Sequence, residues 1–137
     1  MKIQKINHIG IVVRDIEETL ALYRDTLGLE LTRVEERPEQ AVNIAFLPAG
    51  ESEIELLQPT TEDSGVAKFL AKRGEGIHHI CLQVEDIEGA LRELAEKGLQ
   101  LIDEQPRQGT HGEKLAFVHP KSTHGVLLEL YELPASS

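Results

Sequence analysis

The chain of 137 residues carries one pattern twice, and that constrains its fold more than any other feature. NHIGIVVRDIEETL, Asn7–Leu20, returns within GEGIHHICLQVEDIEGAL, Gly74–Leu91. A shift of 71 positions (79 − 8) pairs His8 with His79, Val13 with Val84 and Asp15 with Asp86. It also pairs Ile16 with Ile87, Glu17 with Glu88 and Leu20 with Leu91, and carries Ala45-Phe46 onto Ala116-Phe117. A repeat of this length is two copies of one supersecondary unit, each too small to bury a core by itself. A histidine in the same register of both copies makes the duplication chemically interesting.

The first copy begins with residues 3–13, rich in Ile and Val, which read as a strand. Asp15 with Glu18 makes a capping box. Ile16, Leu20, Tyr23 and Leu27 then follow helical spacing up to Gly28, suited to a left-handed helix end. Strands are predicted over 29–36, 41–47 and 52–58, so the unit reads βαβββ. Pro59–Ser64 is a linker, and Ser64 caps a short helix, Gly65–Arg73. The second copy repeats the order: a strand over 76–84, a helix over 86–97 stopped by Gly98, and strands over 99–103, 115–119 and 125–132. Residues 104–114, EQPRQGTHGEK, form a loop near the upper length usual for compact domains, a class that is often functional. The last few residues are expected to fray. The reading is one domain over 1–137, with a first module at about 3–58, a linking helix segment at 59–74 and a second module at about 75–133.

Composition excludes several classes. No run approaches the ~20 apolar residues of a membrane span, and the N-terminus lacks the apolar core of a signal peptide. Cys81 is the sole cysteine, so no internal disulfide is possible and a cytoplasmic setting fits. A formal charge of −10 argues against nucleic acid as a partner. A small anion still fits where cations cluster, as at Lys68, Lys72 and Arg73, or at Arg107, Lys114 and Lys121. A solvated surface of mixed charge is the simpler account of both groups.

Strand alternation sorts the polar residues by face. Ile9, Ile11 and Val13 share one face, leaving His8 on the other with Gly10. Ile80, Leu82 and Val84 likewise leave His79 with Cys81. In the closing strands Ile54 and Leu56 oppose Glu55, and Leu128 and Leu130 oppose Glu129. Each unit thus opens with a His and closes with a Glu, all turned away from the helix-covered face. A wet second face accounts for any one of the four; their recurrence as a set is less easily dismissed. If the sheets curl about a common axis, two imidazoles and two carboxylates converge, a donor set suited to an octahedral divalent ion. Gly10 and Cys81, small and two residues beyond each His, would leave room for a substrate. His78 falls on the apolar side as a core residue, His111 and His124 lie in loops, and His119 ends a strand.

With these residues in view, the chain resembles the vicinal oxygen chelate superfamily and, within it, the methylmalonyl-CoA epimerase family. The resemblance runs through NHIGIVV, ELLQPTTEDSGVAKFLAKRGEGIHHI and HPKSTHGVLLEL. It implies an α+β fold in which two tandem βαβββ modules form a curled, cup-shaped mixed sheet with helices outside. It implies metal ligation by His8, Glu55, His79 and Glu129, with Co²⁺ foremost and Mn²⁺, Ni²⁺ or Zn²⁺ as alternatives, and a homodimer. The implied chemistry is inversion at C2 of an acyl-CoA, with Glu129 and Glu55 as the catalytic carboxylates. Lys121 and Ser122 are the implied substrate contacts. Several family members carry a Glu four residues after the Gln of their PEQ segment and a Gln in the ELL strand. Here those positions are Ile44 and Glu55, as though the carboxylate had moved to a neighbouring strand.

A glyoxalase I-type lactoylglutathione lyase shares the His, Glu, His, Glu pattern, and a metal-free binding or resistance protein can share the scaffold. The TTEDSGVAKFLAKRGEG segment favours the epimerase family over the lyase, and the full donor set argues against a metal-free module. An extradiol dioxygenase needs only two His and one carboxylate and usually a longer chain.

Overall fold

The computed structural model describes residues 1–135. The fraying expected at the C-terminus falls partly on residues 136 and 137, which lie outside the described residues. The chain divides into two compact units, one contiguous over residues 8–78 and the other assembled from residues 1–7 and 79–137. The contiguous one is called the first unit below and the assembled one the second unit.

The first unit contains β1 from His8 onward (β1 is Ile3–Val12 in full), α1 (Ile16–Leu20), β2 (Arg33–Arg37), β3 (Val42–Ala49), β4 (Ser52–Pro59) and α2 (Gly65–Arg73). Its strand order is β2-β3-β4-β1, with β1 and β4 parallel and the others antiparallel. The second unit holds the opening residues of β1, then β5 (Gly76–Val84) from His79 onward, α3 (Ile87–Glu96), β6 (Arg107–Gln108), β7 (Lys114–Val118) and β8 (Leu128–Glu132). Its order is β1-β5-β8-β7-β6, with β5 and β8 parallel.

The repeat is visible in the packing. Val13, Ile16, Leu20, Ala45, Leu47 and Leu56 form the core beneath α1. Val84, Ile87, Leu91, Ala116, Val118 and Leu130 form its counterpart beneath α3. A fully buried aliphatic side chain contributes roughly 1.5–3 kcal/mol, so these clusters hold helix to sheet in each unit. Asp15 and Asp86 cap the two helices, accepting from the Glu18 and Gly89 amides at 3.2 Å each. Each helix is also tied to its closing strand: Gln58 accepts the Ile16 amide at 2.8 Å, and Glu132 the Ile87 amide at 2.9 Å.

Three local expectations are corrected. The helix opening at Ile16 does not run α-helically to Leu27, because Ala21–Thr26 is a π-helical turn. Its wider closure, with the Leu27 amide donating to the Leu22 carbonyl at 2.8 Å, carries Leu27 off the buried face, and it is exposed. The strand predicted over 29–36 forms as Arg33–Arg37. The strand predicted over 99–103 is reduced to one bridge, Leu101 with Val118. There the Asp103 carboxylate accepts the Phe117 amide at 2.9 Å, replacing a ladder carbonyl and ending the pairing. The short β6 forms instead inside the expected 104–114 loop.

Candidate active site

In the first unit the parallel register sets Gly10 beside Glu55 and His8 two residues earlier on the same face. His8 Nδ1 lies 3.2 Å from Glu55 Oε2, and both residues are buried. Phe46 on β3 stands directly opposite Glu55, and Ile44 opposite Leu57. Along this face Val12, Val42, Ile44, Phe46 and Leu57 form a second apolar cluster, covered by Val66, Phe69 and Leu70 of α2. Over that stretch of the first unit a wet face is ruled out, because the linking helix covers it.

The second unit repeats the arrangement. Cys81 pairs with Glu129, His79 lies two residues before Cys81, and His79 Nε2 is 3.2 Å from Glu129 Oε1. Phe117 stands opposite Glu129, its ring edge-on to His79 at 5.9 Å and 87°. Gly10 and Cys81 are both buried at the small positions that the sequence marks.

These pairs suit a divalent ion. Adjacent ligands ~2.1 Å from an octahedral ion stand ~3.0 Å apart. The observed 3.2 Å between imidazole nitrogen and carboxylate oxygen is close to that in both units. Burial removes the water that would otherwise satisfy the carboxylates, leaving a cation or a protonated imidazole as the natural counter-charge.

The remaining expected residues are placed as follows. Ser122 lies in a 3₁₀ turn, where its hydroxyl accepts the Gln100 amide at 2.8 Å; Lys121 is exposed in the same turn. His119 Nδ1 accepts the Lys121 amide at 3.0 Å and so caps that turn. His78 is half-buried, edge-on to Phe69 at 5.1 Å, and not a core residue. Lys68, Lys72 and Arg73 are exposed on α2. Two of the other three cations are committed to carboxylates: Lys114 to Glu88 at 2.8 Å and Arg107 to Asp103 at 2.8 Å. The hydrogen bond to Asp103 raises the Arg107 pKa above its ordinary value; burial opposes it, and the charges of Asp103 and Glu129 add smaller upward contributions.

Sequence reasoning passed over two features. On β2, Arg33 and Arg37 flank Glu35: Arg33 Nε donates to Glu35 Oε1 and Arg37 Nη2 to Glu35 Oε2, each at 3.0 Å. The alternation of RVEER held this signal, since those three residues share one strand face. In the loop before β7, Glu113 is buried and accepts the His111 amide at 2.9 Å. A Cβ at Gly109 would collide with its carboxylate, so a larger residue there would displace the Glu113 side chain. Nothing in the spacing of that loop announced a buried acid.

Residues 7–117 match the model of the glyoxalase/bleomycin resistance protein/dioxygenase superfamily. The chain is 41% identical over 133 residues to the ethylmalonyl-CoA/methylmalonyl-CoA epimerase of Cereibacter sphaeroides, covering 96% of this chain and 99% of that protein. It is 38% identical over 127 residues to the human mitochondrial methylmalonyl-CoA epimerase, covering 92% of this chain and 72% of that one. A solved methylmalonyl-CoA epimerase in complex with methylmalonyl-CoA and NH4+ superposes with a TM-score of 0.90 at 40% identity, covering 98% of this chain and 97% of that one. Sequence, fold and the duplicated His–Glu pairs agree: the chain is an enzyme of the methylmalonyl-CoA epimerase family, within the glyoxalase/bleomycin resistance protein/dioxygenase superfamily.

Proposed function

We propose that the chain inverts C2 of methylmalonyl-CoA, and that His8, Glu55, His79 and Glu129 together hold one divalent metal ion. The observation that carries this is the buried His–Glu pair built twice, in a chain 36–41% identical to named epimerases of this substrate. Co²⁺ is the proposed ion, with Mn²⁺, Ni²⁺ or Zn²⁺ as alternatives, and the working enzyme is proposed as a cytoplasmic homodimer. Lys121 and Ser122 are kept as substrate contacts at the end of β7.

Inversion requires a proton to leave one face of C2 and another to arrive on the opposite face, hence two acid–base groups. The duplication supplies two equivalent carboxylates, and each takes one role. Glu55 acts on one face and Glu129 on the other, exchanging roles when the opposite enantiomer is bound. When present, the ion supplies Lewis-acid stabilisation for the negative charge that builds as the C2 proton departs. Phe46 and Phe117 stand directly opposite Glu55 and Glu129 on the neighbouring strands and place an aromatic ring beside each carboxylate. Ile44 puts no carboxylate at that place on β3, and Glu35 opposite it on β2 is held by Arg33 and Arg37, which is why Glu55 carries the second role.

The test is proton exchange in D₂O. Metal-loaded enzyme should place deuterium at C2 of either enantiomer of methylmalonyl-CoA, read by NMR or mass spectrometry, and interconvert them. Absence of both exchange and inversion overturns the proposal. Formation of lactoylglutathione from the glutathione–methylglyoxal hemithioacetal would move the chain to the lyase reading.

A further inference from the structure

The chain is strongly acidic, yet the edge strand of its first unit presents arginines toward the face that carries Glu55. Arg33 pairs with Phe46 across β2 and β3, and Phe46 pairs with Glu55 across β3 and β4. Residues directly opposite in antiparallel strands share a face. Arg33, Phe46 and Glu55 are therefore one row across three strands, spanning ~10 Å between the outer Cα atoms at ordinary strand spacing. The guanidinium carbon of Arg33 sits 3.8 Å from the centroid of the Phe46 ring, so the charge is stacked on the middle residue of that row. Phe46 itself is buried, which makes the ring a fixed platform.

One carboxylate, Glu35, serves two guanidiniums on this face. It uses the Nε of Arg33 and orients the fork. The terminal nitrogens of Arg33 donate to no acceptor among the described residues, and 46% of the side chain is exposed. A fixed, half-exposed guanidinium fork with its terminal donors uncommitted is suited to a carboxylate. Arg107, its nearest counterpart in the second unit, has given Nε and Nη2 to Asp103 as a bidentate pair.

We propose that Arg33, seated on Phe46 and oriented by Glu35, binds the free carboxylate of the acyl group and so sets the preference for 2-carboxyacyl-CoA thioesters. The inference rests on the epimerase reading above. Arg33 positions the substrate and exchanges no proton with it.

The test measures affinity by calorimetry on the metal-loaded enzyme, with methylmalonyl-CoA, propionyl-CoA and CoA itself as probes. A charge-assisted hydrogen bond is worth about 1.5–3 kcal/mol, so Arg33→Ala should weaken methylmalonyl-CoA binding by ~10- to 100-fold. Propionyl-CoA and CoA, which lack the carboxylate, should change less than about twofold. Arg33→Lys, which keeps the charge and loses the fork, should fall between. In kinetics the loss should appear mainly in KM. Equal weakening of all three probes would assign Arg33 to the CoA phosphates and overturn the proposal, as would no change for any. If wild-type enzyme binds methylmalonyl-CoA without inverting it, the epimerase reading fails while the Arg33 comparison still stands. If it binds none of the probes, both fail.

Discussion

The two units are built on one pattern and surround the same His–Glu pair differently. In the first unit the face beyond the pair is Val12, Val42, Ile44 and Leu57, packed beneath α2. The corresponding places in the second unit are Gln83, Glu113, Leu115 and Tyr131. Gln83 accepts from Asn7 at 3.0 Å and donates to Gln4 at 2.8 Å, joining a polar chain where its counterpart is a fully buried valine. Phe117 is half-buried where Phe46 is buried. Duplication preserved the donors and let their surroundings diverge. The two acids themselves are kept alike, as a reaction that runs in both directions between enantiomers requires, while the cover around them differs.

The largest effects are expected at the histidines. His8→Ala and His79→Ala should each remove nearly all bound metal, by elemental analysis, and abolish turnover. If either variant keeps half the metal, the pairs are independent sites and the comparison becomes one of two separate centres. Next come the carboxylates. Glu55→Gln and Glu129→Gln should keep the metal, since an amide oxygen still coordinates, and lose epimerisation by ~10²–10⁴-fold. Each should retain C2 deuterium exchange with only one enantiomer, and the two variants should retain opposite ones. A Glu55→Gln enzyme within a few-fold of wild type, about 1 kcal/mol or less, would leave Glu55 as a ligand without a proton to carry.

Stability should separate the two faces more modestly. Ile44→Ala empties a site packed on all sides and should cost about 2–5 kcal/mol in urea unfolding. Leu115→Ala, at the corresponding place but outside any of the tightly packed core clusters, should fall at or below the lower end of that range. Equal losses would mean that α2 contributes little cover. The smallest effects belong to the caps, where Asp15→Ala and Asp86→Ala should each cost ~1 kcal/mol. Here the units should agree, because the cap geometry is the same in both.

Much of this was legible in the residues because it obeys periodicity. A period of two placed His8, Glu55, His79 and Glu129 on their faces, and a period near 3.6 placed Ile16, Leu20, Ile87 and Leu91 against the sheet. What escaped depends on contacts that no period encodes. The π turn after Leu20 breaks helical phase without a Pro or Gly to announce it. Asp103 looked like the end of a strand, and it instead replaces the strand's pairing with its side chain. The cover of α2 over Ile44 depends on where a linker leads, which local pattern cannot tell. Glu113 would have been read as solvated, since acids are almost never fully buried without a partner.

Because β1 contributes its opening residues to one unit and the rest to the other, the two halves differ in how they can come into being. Residues 8–78 are contiguous and can gather their contacts as soon as they have been synthesised. The other unit must wait: its first strand segment leaves the ribosome earliest, and its partners leave last. Until then Ile3–Asn7 has its final strand neighbour, β5, missing. Bringing such distant segments together from an open chain costs on the order of 4 kcal/mol in the logarithmic length term alone. A first unit already folded replaces that search with a fixed spacing between its own two ends. The order of assembly is thereby expected to run from residues 8–78 outward, since theirs is the unit whose contacts need no segment from the far end of the chain.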